Sequence, residues 1–277
     1  MSQELSSQRV PSAWDKTISA ARSAWYATTE PPRLALARSR YLNEYIGPGA
    51  LVSVYVPTHN RFSVLLGRSL KSILAQTYRD FEVIVAAHGC TDGTERYVRS
   101  LGDSRIRVLS IPREQTYPPT VENHWFAGPV VPANAALVQC RGTWIARNDD
   151  DDEWTEDHLR RLLSFAISGG YEFVSGGHEG PDGPVAPYDL DGVNVGGVQT
   201  WLYRSYLKFF KFNPDCWQKK IDRVNDTDLQ ARMRRAGVSM GYLNKTVAYV
   251  RPRPGEHYVG LQAYKIDEVN KLRELAF

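Results

Sequence analysis

Cysteine is scarce, with only Cys90, Cys140 and Cys216 in 277 residues. They are odd in number and far apart, and no Cys-x-x-Cys occurs, so neither a disulfide framework nor a zinc knuckle is indicated. Cytosolic thiols fit this usage best. No run of 18 apolar residues exists, so no segment reads as a bilayer-spanning helix. The start, MSQELSSQRVPSAWDK, lacks the apolar core of a secretory signal, and the expectation is a cytoplasmic protein. Neither charge sign dominates: 34 Lys and Arg against 31 Asp and Glu leave +3, which argues against nucleic acid as a partner. Neither Gly-x-Gly-x-x-Gly nor a P-loop is present, which disfavours a dehydrogenase and a P-loop nucleotidase. There is no internal repeat and no low-complexity tract. What remains is an ordinary globular composition, 42% hydrophobic and 23% charged.

Residues 1–50 read as a helical extension, 51–260 as one α/β domain, and 261–277 as a C-terminal helix. In the extension, Ser12 is placed to cap a helix to about residue 28 that carries Trp14, Ile18, Ala21 and Trp25 along one face. Pro31 and Pro32 are expected to end it, with a second short helix over 34–45. This extension is expected to dock on the core; its Trp and Arg content also permits peripheral membrane contact, and a homodimer contact is a further option. From Leu51 the pattern changes. LVSVYV is a short apolar, β-branched run suited to a strand buried on both faces, and Pro57 is expected to stop it. A helix over 63–76, a strand FEVIVAA, a helix over 94–101 and a strand IRVLSI follow. Such a βαβαβ order implies a right-handed, mostly parallel half-sheet. Ligands of such sheets sit outside the carboxyl ends of the strands, here near Pro57–Arg61, Ala87–Asp92 and the segment after Ile111. Residues 112–132 read as a Pro-rich loop, 132–140 as a helix, 143–146 as a strand, 156–168 as a helix, and FVSGG and VQTWLYR as strands. Residues 226–236 read as helix, and YLNKTVAYVR as the last strand.

The most informative segment follows the strand TWIA: Asp149, Asp150, Asp151 and Asp152 are consecutive, and Glu153, Glu156 and Asp157 come close behind. Like charges packed at a strand end raise one another's pKa. A divalent cation would neutralise them, and hard carboxylate oxygens suit Mg²⁺ or Mn²⁺ shared with substrate phosphates. The plain alternative is a solvated acidic turn preceding a helix. Between Arg204 and Arg253 there are twelve Lys or Arg and only four Asp, a complement suited to a diphosphate or an anionic acceptor, or simply a solvated basic face.

Four ordered stretches resemble family 2 glycosyltransferases of the GT-A fold: VSVYVPTHNR, LLGRSLKSILAQTYRDFEVIVAAHGCTDGT, GTWIARNDDDDEWTEDHL and NDTDLQARMRRAG. The resemblance implies a Rossmann-like central sheet flanked by helices. It also implies transfer of a sugar from a nucleotide-diphosphate donor, with inversion. UDP-, GDP- and dTDP-sugars are the donor classes, and a glycan, a lipid-linked sugar or a small molecule the acceptor, in surface polysaccharide or glycoconjugate biosynthesis. The family's Asp-x-Asp falls on Asp149-x-Asp151. Asp151 is the implied metal ligand, and Asp149 and Asp150 lie by the ribose or the metal. Asp226, in Asn225-Asp226-Thr227-Asp228-Leu229, is the implied general base, with a helix N-cap as the plain alternative. Pro57, Thr58, Asn60 and Arg61 are implied around the nucleoside.

The sequence departs from the family pattern in three places. The usual Asp-Asp-Gly-Ser-Thr-Asp becomes Ala87-His88-Gly89-Cys90-Thr91-Asp92, so the first carboxylate that would meet the base is missing and His88 is the substitute candidate; Asp92 is retained. Asn225 stands for the usual Glu. The late metal-ligating His is matched either by Arg253, acting directly on the diphosphate, or by His257. Trp201 is a candidate to stack on an acceptor sugar, as is Tyr203, with core packing as the alternative, and Asp228 is a second acceptor candidate. A nucleotidyltransferase would carry a Gly-rich loop after the first strand, where PTHNR has no glycine. A non-catalytic binding relative is suggested by Ala87 and Asn225, and opposed by the intact Asp149, Asp151 and Asp226.

Overall fold

The computed structural model describes residues 12–41, 50–113, 120–219 and 221–266. It opens on α1 (Ala13–Tyr41), one helix where two were expected. Pro31 and Pro32 lie inside it. Each interior proline costs about 3 kcal/mol in an unsupported helix. Here the carbonyls they leave without an i+4 donor belong to Ala27 and Thr28, both exposed residues within reach of solvent. Packing supplies the rest. Leu34 is buried in the core, Glu30 pairs with Arg232, and Arg38 forks onto Glu172 at 2.7 and 2.5 Å. Burying one leucine contributes about 1.5–3 kcal/mol, and losing the cationic partner of a buried carboxylate would cost about 3–5 kcal/mol, so tertiary contacts offset much of the local penalty.

The α/β body runs through β1 (Val52–Thr58), a helical stretch of α2 (Phe62–Val64), a π-helical turn (Leu65–Ser69) and α3 (Leu70–Leu74), then β2 (Phe81–His88), α4 (Thr94–Ser100) and β3 (Ile106–Ile111). These are the expected βαβαβ elements. Strand β1 passes through Pro57 rather than stopping there. Its ladder to the next strand inward ends at Tyr55↔Arg147, so Pro57 lies where one flank of β1 has no pairing partner and a missing N–H costs little. There follow α5 (Val121–Ala127), α6 (Val130–Gln139), β4 (Trp144–Arg147), β5 (Asp152–Trp154), α7 (His158–Gly169), β6 (Phe173–Gly180), and the short β7 (Gly183–Val185), β8 (Tyr188–Leu190) and β9 (Val193–Val195). Then come β10 (Leu202–Arg204), α8 (Asn225–Ala236) and β11 (Met240–Val250), and residues 260–266 are helical. The expected helix over 261–277 lies partly outside the described residues.

The sheet order is β3-β2-β1-β4-β10-β6-β11-β5, with β7 hooked onto β6. Strands β3, β2, β1 and β4 are parallel, β10 is antiparallel to both neighbours, and β6 and β11 are parallel again. Every residue of β1 is buried, as its unbroken apolar run requires. Alternate residues feed two core layers. Tyr55 joins Ile145, Trp201, Phe212 and Leu229 on one face, while Val54 and Val56 join Val83, Trp144, Leu162 and Val174 on the other.

Two expectations are corrected at this level. The segment 112–132 is not wholly loop: Thr120 Oγ1 accepts from Asn123 N at 3.2 Å and caps α5. VQTWLYR is a 3-10 turn (Val198–Thr200) followed by only three strand residues, Leu202–Arg204.

Candidate functional site

The acidic run is a turn that joins β4 to β5. Asn148 holds its base: its N–H donates to Tyr55 O at 3.2 Å, and Nδ2 donates to Ser69 Oγ at 3.0 Å and Asp152 O at 3.3 Å. Arg68 ties the turn to the segment after β11, donating to the carbonyls of Asp151, Arg251 and Pro252, each at 2.9 Å. That staple sets Arg253 Nη1 3.9 Å from Asp151 Oδ2. Burial, then neighbouring Asp151, pushes the Asp150 carboxyl up to about 8; Thr58 and Arg61 oppose the shift. Asp151 and Asp152 are likewise raised, by burial first and then by their neighbouring aspartates. A row of half-buried carboxylates, closed by the buried Asp152, with so few opposing charges favours a cation, and hard oxygen donors suit Mg²⁺ or Mn²⁺. Among the described residues no three Asp, Glu, His or Cys side chains converge as a ready-made cage. The donor set fits an ion shared with phosphates rather than one enclosed by protein.

Asp226 sits in the first turn of α8 and faces the same cleft. The N-cap position belongs to Val224, which makes no side-chain cap, and Asp226 Oδ1 accepts from its neighbour Thr227 N at 2.7 Å, so the capping role is not realised. Burial raises the Asp226 carboxyl, and the Arg147 charge opposes this. Arg147, the last residue of β4, is buried. Its Nε and Nη2 reach Asp149 Oδ1 at 3.1 and 2.8 Å, and its guanidinium lies 5.1 Å over the Phe212 ring. Its Nη1 is buried with no partner among the described residues. One arginine thus stands between the acidic turn and the aspartate of α8. Sequence reading missed it. The signal was a cation closing an otherwise apolar strand, where an unpaired charge is costly.

Both groups line one cleft of about 800 Å³ outside the carboxyl ends of β1, β2 and β4. Its other wall carries Pro57, Thr58, His59, Arg61, His88 and Arg113. His59 Nδ1 donates to the His88 carbonyl at 2.7 Å, and burial lowers the His59 pKa. The His124 pKa falls by burial and then by the Arg113 charge. Gly89 has φ +61°, and a Cβ there would meet Arg113 Cβ at 2.6 Å, so this wall needs glycine after His88. Tyr264 closes the rim, with the Arg253 guanidinium 5.3 Å and that of Arg61 6.0 Å from its ring centre.

Several predicted residues lie elsewhere. Trp201 is fully buried core: its Nε1 donates to Gly196 O at 3.1 Å, and its ring packs edge-on to Phe173 at 5.2 Å, so it cannot stack on a sugar. Tyr203 is core as well. Asp228 points to the opposite side of α8, accepting from Lys219 Nζ at 2.7 Å and Arg232 Nε at 2.9 Å. At the start of α8 the opposing i and i+2 directions separate Asp226 from Asp228. Asn60 and Asp92 staple loops rather than line the cleft. Asn60 Oδ1 accepts from Thr91 N at 2.7 Å, and Asp92 accepts from Phe62 N at 2.9 Å and Thr94 N at 3.1 Å. Burial works against it, but the bonds from Thr94 and Phe62 hold the Asp92 carboxyl below the usual range. Ala87 is buried in β2 beside Thr58 and does not reach the cavity. His257 is exposed and off the cleft, whereas Arg253 lines it.

Residues 53–118 and 121–236 match the family described as Glycosyl transferase family 2. The chain is 34% identical over 203 residues to the putative colanic acid biosynthesis glycosyl transferase WcaA of Escherichia coli (strain K12), covering 66% of each chain. It is 30% identical over 129 residues to the UDP-Glc:alpha-D-GlcNAc-diphosphoundecaprenol beta-1,3-glucosyltransferase WfgD of Escherichia coli, covering 47% of this chain and 46% of that one. The chain therefore spans at most about two thirds of these relatives. In fold it resembles S. aureus TarS 1-349 in complex with UDP-GlcNAc (TM-score 0.56, 22% identity, 75% of this chain and 61% of that chain). It also resembles the mannosyltransferase PcManGT from Pyrobaculum calidifontis in complex with GDP-Man and Mn²⁺ (TM-score 0.55, 17% identity, 92% and 76%). The α/β architecture is accordingly the GT-A one.

Proposed function

The chain belongs to glycosyl transferase family 2, and on that premise we propose that it moves a sugar from a nucleoside-diphosphate donor to a hydroxyl acceptor, with inversion. The product belongs to surface polysaccharide or glycoconjugate biosynthesis, as the names of its relatives suggest. The observation that carries this reading is the convergence of the acidic turn, Asp226 and Arg147 on one cleft. The relatives' and neighbours' donors, UDP-Glc, UDP-GlcNAc and GDP-Man, support a nucleotide-sugar donor here.

The donor's nucleoside lies against the wall of Pro57, Thr58, Arg61 and His88, outside the carboxyl ends of β1 and β2. Asp151 and Asp149 would hold a Mn²⁺ or Mg²⁺ ion, whose charge offsets that developing on the diphosphate leaving group. Arg253, beside Asp151, adds a second positive group on the same side. Asp226 takes the proton from the acceptor hydroxyl as the new C–O bond forms and the C–O bond to the diphosphate breaks. Its raised pKa makes it a stronger base than an exposed aspartate, while Arg147 favours its ionised form. Arg147 also holds Asp149 through two N–H groups on one carboxylate oxygen, so it positions that carboxylate while its charge acts on Asp226. Nucleotide release from a panel of UDP-, GDP- and dTDP-sugars with Mn²⁺ tests the reading. Release that disappears in Asp151→Ala and Asp226→Asn supports it, and no release from any donor and acceptor pair overturns it.

A further inference from the structure

Helix α1 has a mixed inward face and an apolar outward one. One packs inward through Ser19, Glu30, Leu34 and Ala37. At 100° per residue, Trp14, Ile18, Ala21, Trp25, Pro32 and Leu36 fall within a roughly 60° arc on the opposite side. All six are exposed, Trp14 by 71% and Trp25 by 64%. The stripe follows the helix axis for roughly 33 Å, longer than scattered surface hydrophobics explain. A row of basic residues, Arg22, Arg33 and Arg40, borders one edge at successive intervals of three and two turns. The helix carries five basic residues and two acidic ones; Arg22 and Arg38 pair with Asp215 and Glu172 of the body, and Glu30 with Arg232, which leaves Lys16, Arg33 and Arg40 against Asp15 and a net positive outward side.

We infer that the outer face of α1 is a membrane-docking surface that lays its tryptophan stripe into the interface of an anionic lipid bilayer. Tryptophan favours the headgroup level, with its ring in the apolar boundary and its N–H toward water. Arginine stems cover apolar surface while their guanidinium groups stay with phosphates. The charge decides between occupants: a second copy of this chain would present the same positive edge, an anionic lipid surface the opposite sign. The inward face fixes the orientation, because Glu30–Arg232 and Arg38–Glu172 lock α1 to the body that holds the cleft. The inference does not depend on the transferase reading, though a membrane-docked enzyme suits an acceptor carried on a lipid.

Sedimentation of the full chain with phosphatidylcholine vesicles, with and without phosphatidylglycerol, tests this. The chain is expected to sediment with the phosphatidylglycerol vesicles and to be released by salt. The double substitution Trp14→Ser and Trp25→Ser, both at exposed positions, is expected to weaken binding by about tenfold or more, with far-ultraviolet circular dichroism unchanged. Arg33→Gln with Arg40→Gln is expected to reduce the dependence on phosphatidylglycerol. Wild type that stays in solution with both vesicles, or a tryptophan variant that binds equally well, overturns the inference. A dimer by light scattering that the tryptophan substitutions dissociate, without vesicle binding, also overturns it and makes the stripe an interface between copies. Vesicle binding by a chain that releases no nucleotide would sink the transferase reading alone.

Discussion

At the scale of single residues, the proposed chemistry rests on Asp226 and Arg147. Asp226→Asn keeps the shape of the site and removes the proton acceptor, so turnover should fall about 10²–10⁴-fold while nucleotide-sugar affinity, measured by calorimetry, changes little. A proportional loss of affinity would make Asp226 a binding group instead. The acid side of the kcat/KM profile should report the same carboxyl. Because its pKa is raised by burial, activity should fall with decreasing pH above the range of an ordinary aspartate. Arg147 lowers that pKa, so Arg147→Met should move the acid limb to higher pH. An unmoved limb would mean that Asp226 does not titrate in catalysis. Asp149, Asp151 and Asp226 stood out in the sequence because the motifs that resemble the family mark them. Arg147 did not, because its importance comes from burial between them. Trp201 shows the converse: an aromatic on a strand reads the same whether it meets a ligand or a core, and only packing distinguishes the two.

Among the elements, the turn between β4 and β5 makes the clearest demand. Asp150 ionises near 8 in the folded chain and near 3.8 when exposed. Between those values the folded state binds the extra proton, so this group's contribution to stability is complete below about 4 and is lost as pH rises toward 8. With a chelator present, the melting temperature should fall over that interval, and Mn²⁺ should reverse the loss at its upper end. A melting temperature that rises steadily to pH 8 with chelator, and ignores Mn²⁺, would contradict the poorly compensated cluster. On the far side of α8, Arg232 serves both Glu30 and Asp228. Arg232→Ala strands the buried Glu30 and leaves Asp228 with Lys219 alone, and should cost about 3–5 kcal/mol in denaturant unfolding. The continuous α1 rests on this network, which is why two adjacent prolines misled a reading from local propensity. Strand β5 was unreadable for a related reason: three residues, two of them acidic, become a strand only because β11 pairs with them.

For the whole molecule, the cleft is assembled from segments far apart in the chain: the ends of β1, β2 and β4, the start of α8, and the helical residues near Tyr264. Ligands that bridge them should stabilise the fold as a unit. Mn²⁺ with the correct nucleoside diphosphate at about 100 times its Kd should add about 2.7 kcal/mol. The melting temperature should then rise by more with both together than by the sum of the two separate shifts, and a simply additive response would separate the metal from the nucleotide. The opening βαβαβ order, its parallel half-sheet and the place of the acidic run were determined by the sequence itself, because apolar periodicity and motif spacing are local properties. The tertiary structure alone decided that α1 is unbroken, that Asp228 and Trp201 serve the core, and that Arg147 and Arg253 face the carboxylates. Those outcomes depend on which distant side chains remove a group from water, and burial is a property of the assembled chain.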